Sequence, residues 1–129
     1  MKSLEQERMK KAYEFVKDMK NKDIKKKKEY LSLVRKLPAM IVHNGLITTF
    51  VFLKSKEGKE NKDTVHKELL KHLIFYLESR GMDINSYESF KERMGDIELE
   101  EYLFVTQDVL AFATWLKRIA EGEIEDESN

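Results

Sequence analysis

Apolar residues recur at helical spacing along almost the whole chain. Met9, Ala12, Tyr13, Val16 and Met19 stand three or four apart, behind a Ser3–Gln6 pair with the form of a capping box. That spacing predicts a first helix over 3–20. A polar break at 21–24 leads to a second helix over 25–37, with Tyr30, Leu31, Leu33, Val34 and Leu37 inward. Pro38 fits the first position of a third helix, where its missing N–H is not needed. Asp63 or Thr64 caps a fourth helix running to Arg80, striped by Val65, Leu69, Leu73, Tyr76 and Leu77 and stopped by Gly81. A short helix follows over 86–94. Asp96 caps the last and most apolar one, over 98–121, and Gly122 stops it. The fold class expected is all-α: a compact bundle of about six helices, two of them largely buried.

Residues 39–53 admit two readings. Asn44-Gly45 between apolar flanks is a strong hairpin signal. The flanks, however, do not alternate apolar and polar, and a lone hairpin in a helical chain lacks sheet neighbours. A helix buried on all sides, with Gly45 permitting close approach of a neighbour, is favoured. His43 and Asn44 would then be partnered polar groups inside it.

Composition agrees with long elements. Among 129 residues there are five glycines, one proline and no cysteine. Disulfides, thiolate metal sites and cysteine nucleophiles are excluded. The longest charge-free run, 37–53, is too short and too polar for a membrane span, and residues 1–8 have no signal-peptide core. One domain over 1–122, an acidic tail over 123–129 and a cytoplasmic location are expected.

The formal net charge of zero hides a split. Residues 1–62 carry 17 basic and 8 acidic side chains, residues 63–129 carry 7 and 16. Much of the second-half excess lies in the tail, for residues 1–120 hold 24 basic against 19 acidic. The body is therefore moderately basic, which favours a polyanionic partner.

Catalytic chemistry has little support. His66 and His72 lie six apart, on different sides of a helix, and read as two surface histidines. Asp63 with His66 supplies only half of a di-iron helix motif. No nucleophile elbow, zinc-helix motif or phosphate loop occurs. No metal, no cofactor and no enzyme activity is expected. The cations are more informative. Lys25 to Lys28 crowd a helix start, where they oppose the dipole. Arg8 sits at the edge of an inward stripe, placed to pair with a carboxylate or reach into a groove. Arg35-Lys36, Lys54, Lys56 and Lys117-Arg118 add further positive charge near helix ends. Together they suit sequence-independent contact with a phosphate backbone.

Several stretches in one order carry a resemblance. Leu4-Glu5-Gln6-Glu7-Arg8 with Ala12-Tyr13 comes first. Leu33-Val34-Arg35-Lys36-Leu37-Pro38-Ala39-Met40-Ile41 then leads into Asn44-Gly45-Leu46, Phe52-Leu53 and Lys56. The pattern of 65–79 follows, and Ala111, Trp115-Leu116-Lys117-Arg118 and Ala120 close it. Over about 4–121 the chain resembles the small subunits of type III-B (Cmr-type) CRISPR RNA-silencing complexes. The resemblance implies a helical, non-catalytic subunit that stacks with further copies of itself, beside the large and backbone subunits, along the groove holding guide and target RNA. It implies that Asn44-Gly45 sits inside a helix. It also marks Arg8, Arg35, Lys36, Lys56, Lys117 and Arg118 as contacts to target-RNA phosphates, and leaves Lys25 to Lys28 and Lys54 without a matching position. Trp115 matches too and suits the core or a subunit interface. The alternative is a helical protein–protein adaptor without direct nucleic-acid contact.

Overall fold

A computed structural model describes residues 1–60 and 62–124. Six helices follow one another: α1 (Leu4–Lys20), α2 (Ile24–Asn44), α3 (Leu46–Ser55), α4 (Val65–Ser79), α5 (Tyr87–Asp96) and α6 (Leu99–Glu123). Among the described residues there is no strand. No helix there is long and apolar enough to cross a membrane.

Side-chain caps fix most of the starts. Ser3 Oγ accepts the Gln6 N–H at 3.1 Å, and the Ser3 N–H donates back to Gln6 Oε1 at 2.7 Å. Asp23 caps α2 through the Lys26 N–H at 2.9 Å, which places a carboxylate beside the crowded lysines. Thr64 caps α4 and Ser86 caps α5. The last helix differs from expectation. Asp96 ends α5 instead of capping α6, and Glu98 precedes α6 without a side-chain capping bond. The helix runs through Gly122, where a stop was expected, to Glu123, and Ile124, within the expected acidic tail, is buried. The rest of the acidic tail lies outside the described residues.

The core forms around α6. Arg8 meets Asp108 and Lys20 meets Glu123, so α1 and α6 run parallel. Arg35 meets Glu121 while Gly45 lies by Tyr102, so α2 runs antiparallel to α6. Val109, Phe112, Ala113, Leu116 and Ala120 of α6 are fully buried, as are Ala12, Val16 and Met19 of α1 and Tyr30, Val34 and Leu37 of α2. Burying one such large aliphatic side chain contributes about 1.5–3 kcal/mol. Phe112 stacks on Tyr76 of α4 at 4.1 Å, and Phe50 of α3 on Phe90 of α5 at 4.0 Å.

The helix boundary near Pro38 falls elsewhere than predicted. α2 carries Pro38 in its interior and continues to Asn44. The proline forfeits one backbone hydrogen bond, but the inward stripe of Leu33, Val34 and Leu37 extends through it to Ile41, which is 1% exposed. The chain turns at Gly45 instead. Gly45 has φ 91° and ψ 160°, a region open essentially to glycine alone. Neither a hairpin nor an unbroken helix forms there: Asn44 ends α2 and Leu46 begins α3. The joint is held by the Gly45 N–H on the Ile41 carbonyl at 3.0 Å and by Thr49 Oγ1 donating to the Gly45 carbonyl at 2.8 Å. His43 and Asn44 are exposed, not partnered inside the bundle, and Val42, Ile47 and Val51 also reach solvent.

Candidate nucleic-acid interface

The predicted contact residues fall into three places. Lys36 of α2 and Lys56, the residue capping the C-terminus of α3, converge on His66 in the first turn of α4. Lys36 lines a shallow depression with His66, Glu29 and Leu33. The His66 ring packs edge-on to Phe52 at 5.9 Å. Partial burial holds the His66 imidazole below its ordinary value; Lys56 and Lys36 add to that, and Glu29 opposes it. Two lysines, Glu29 and the half-buried imidazole thus share one edge of the bundle. Sequence reasoning placed His66 on the surface without a role. Its closeness to two cations comes from the turn at Gly45, which returns α3 alongside α4.

Arg35, one residue before Lys36, reaches the last turn of α6, where its Nε lies 3.3 Å from a Glu121 oxygen. Lys117 and Arg118 stand one turn before Glu121. Lys117 is half-buried and Arg118 is exposed. Arg35 and Lys36 are consecutive on α2 but point about 100° apart, so the two groups flank α2 on different sides. Trp115 is half-buried against the core.

Arg8 is apart from both. Its Nη2 donates to Asp108 at 2.8 Å and its Nε to the Tyr76 hydroxyl at 3.0 Å. Tyr76 donates in turn to the same Asp108 oxygen. Arg80 Nε donates to the other Asp108 oxygen at 2.8 Å. Asp108 is 4% exposed. Burial alone would raise its carboxyl, but the bonds from Tyr76, Arg8 and Arg80 outweigh that and hold it below the ordinary carboxylate range. Burial and the bond to Asp108 push the Tyr76 hydroxyl up to about 12. Of the two fates open to Arg8 from sequence, the structure has it paired with a carboxylate. The available signal was Asp108 itself, the lone acid in the apolar middle of α6.

The histidines also part company. His72 is buried, not on the surface: its Nδ1 is 2.7 Å from the Tyr30 hydroxyl and its ring stacks on Phe15 at 4.4 Å. No cluster of three or more metal-ligating side chains occurs among the described residues. Lys26 is bound to Asp63 at 2.6 Å, so the lysine run is partly tied to the start of α4.

The fold and this edge define a class: a small all-helical bundle with an exposed cationic rim. The family model described as "CRISPR-associated protein (Cas_Cmr5)" matches residues 4–123. The CRISPR system Cmr subunit Cmr5 of Thermus thermophilus is 35% identical over 98 residues, covering 76% of this chain and 77% of the relative. The Cmr5 subunit of Thermotoga maritima is 33% identical over 129 residues, all of this chain and 91% of that one. The crystal structure of a Cmr5 family protein from Thermus thermophilus superposes with a TM-score of 0.77 at 31% identity, over 97% of this chain and 100% of the other. The chain belongs to the Cmr5 family of CRISPR-associated proteins.

Proposed function

We propose that this chain is the non-catalytic small subunit of a Cmr-type CRISPR ribonucleoprotein, and that it contacts the backbone of target RNA while stacking on further copies of itself. The observation that carries the RNA reading is the set of surface cations: Lys36 and Lys56 both act on His66, and Arg35 reaches Glu121, one turn beyond Lys117 and Arg118 on α6. Phosphate contact by such side chains is sequence-blind and weakens with salt. Arg8 serves these cations indirectly, clamping α1 to α4 and α6 through Asp108.

Stacking requires two different patches, since a head-to-tail contact is not self-complementary. Two groups of exposed apolar residues supply them. Leu99, Leu103 and Phe104 stand at the start of α6, at 71%, 51% and 66% exposure. Met9 and Tyr13 of α1 form a groove with Ile119 near the far end of α6. Ile119 lies about 24 Å along the helix from Leu103, at 1.5 Å per residue.

The test is reconstitution of the ribonucleoprotein with and without this chain, followed by target-RNA binding across a salt series. The expected result is weaker binding with a shallower salt dependence when the chain is left out. Identical affinity and slope would leave the adaptor reading in its place.

A further inference from the structure

We propose that the groove between α3, α4 and α5 docks an acidic amphipathic segment of a partner protein. The groove encloses about 320 Å³ over a floor of Leu70, Ile74, Phe75 and Tyr87. Phe75 is 44% exposed, although its neighbours Ile74 and Tyr76 are buried. Lysines ring this floor. The ammonium groups of Lys54 and Lys91 lie 5.6 and 5.0 Å from the centre of the Tyr87 ring, and that of Lys71 lies 5.7 Å from the centre of Phe75. Lys67 stands on the rim, donating to the Glu60 carbonyl at 3.3 Å. The carboxylate lining the groove, Glu57, is 3.4 Å from Lys54. Glu68 acts on Lys71 electrostatically from the same helix. Neither Lys71 nor Lys91 has a carboxylate at ion-pair distance among the described residues.

An apolar floor inside a cationic rim fits one chemistry best. A Leu or Phe anchor covers Phe75 and Ile74, and flanking Asp or Glu side chains meet the lysines. The same geometry disfavours RNA here. Base stacking needs open ring faces, and ammonium groups already lie against Phe75 and Tyr87. A phosphodiester would also leave Leu70 and Ile74 uncovered. The inference rests on the proposed function only in taking the chain to be one subunit of a multi-protein particle.

The test places the photo-crosslinker p-benzoylphenylalanine at Phe75 in a particle reconstituted from purified subunits and RNA. A second labelled chain carries it at Lys71, as an independent position on the rim. The expected product is a crosslink to a partner-subunit peptide in which Asp or Glu flank an apolar residue. Adding Lys54→Glu and Lys67→Glu should lower its yield about tenfold, as loss of charge complementarity does. Crosslinks to RNA, no crosslink from either position, or a yield indifferent to the charge reversals would overturn the proposal. A particle that gains RNA affinity from this chain yet gives no protein crosslink sinks the groove alone. A wild-type chain that never enters the particle sinks the proposed function with it.

Discussion

Lowering the pH from 7.5 to 5 should destabilise this fold chiefly through His72. The imidazole is buried against Phe15, and its Nδ1 shares a hydrogen bond with the Tyr30 hydroxyl at 2.7 Å. Burial, then Lys71 and Lys22, lower its pKa from 6.5 to about 3. The sign follows from linkage: below pH 6.5 the unfolded chain binds a proton that the folded chain refuses. Stability therefore falls progressively from about pH 7 towards pH 3. At pH 5 the unfolded histidine is about 1.5 pH units below its pKa, worth about 2 kcal/mol at 1.36 kcal/mol per unit. For a domain of this size that is about 6–10 °C in Tm. His66 adds a smaller effect of the same sign, because its pKa is also lowered. The contribution of His72 is isolated by a Tyr30→Phe/His72→Phe double variant, which removes donor and acceptor together and leaves no stranded polar group. Urea unfolding of both proteins at pH 7.5 and pH 5 is the assay. The wild type should lose about 2 kcal/mol more than the double variant over that interval. Equal losses in the two proteins would refute the reasoning.

Gly45→Ala should cost about 1–3 kcal/mol by denaturant unfolding, because the penalty is the backbone conformation rather than space; the added Cβ meets only the Tyr102 hydroxyl, at 3.7 Å. A neutral effect would mean that the α2–α3 joint can turn without a glycine. Arg8→Met leaves Asp108 with one guanidinium instead of two, so a loss of about 2–3 kcal/mol is expected in the same assay; a loss below about 0.5 kcal/mol would place Arg8 outside the folding network. For stacking, Leu103→Asp and Tyr13→Asp should each block growth beyond a single copy. A mixture of the two should form a heterodimer in analytical ultracentrifugation, since each retains the patch the other lacks. No recovery on mixing would contradict the head-to-tail pairing.

Most of the helices were legible because their inward stripes are long and regular. α1 and α4 carry apolar residues every third or fourth position behind a Ser or Thr cap, and both form where the pattern placed them. Boundaries inside the apolar middle were not legible. From Leu37 to Leu53 every local signal is apolar or ambiguous, so Pro38 and Gly45 competed as punctuation. Tertiary burial of Ile41 decided against Pro38, and the left-handed φ of Gly45 decided for the glycine. The site was half legible. Lysines and arginines can be counted in a sequence, but their neighbours cannot. That Arg8 meets Asp108 across a hundred residues depends on α1 and α6 lying parallel. That Lys36 and Lys56 share His66 depends on the turn at Gly45. His72 was misplaced because its helical position alone does not reveal that Tyr30 of another helix supplies a partner.

The set of surface cations is tested most directly by the salt dependence of target-RNA binding in the reconstituted particle, with this subunit either wild type or carrying Lys36→Ala, Lys56→Ala, Lys117→Ala and Arg118→Ala together. These four side chains lie outside the buried network, so the variant subunit should enter the particle normally. Each lost phosphate contact should reduce the log–log slope by about 0.7–0.9 and weaken binding of every target sequence alike. A slope and an affinity equal to wild type, in a particle holding the normal amount of the variant subunit, would contradict RNA contact through these cations.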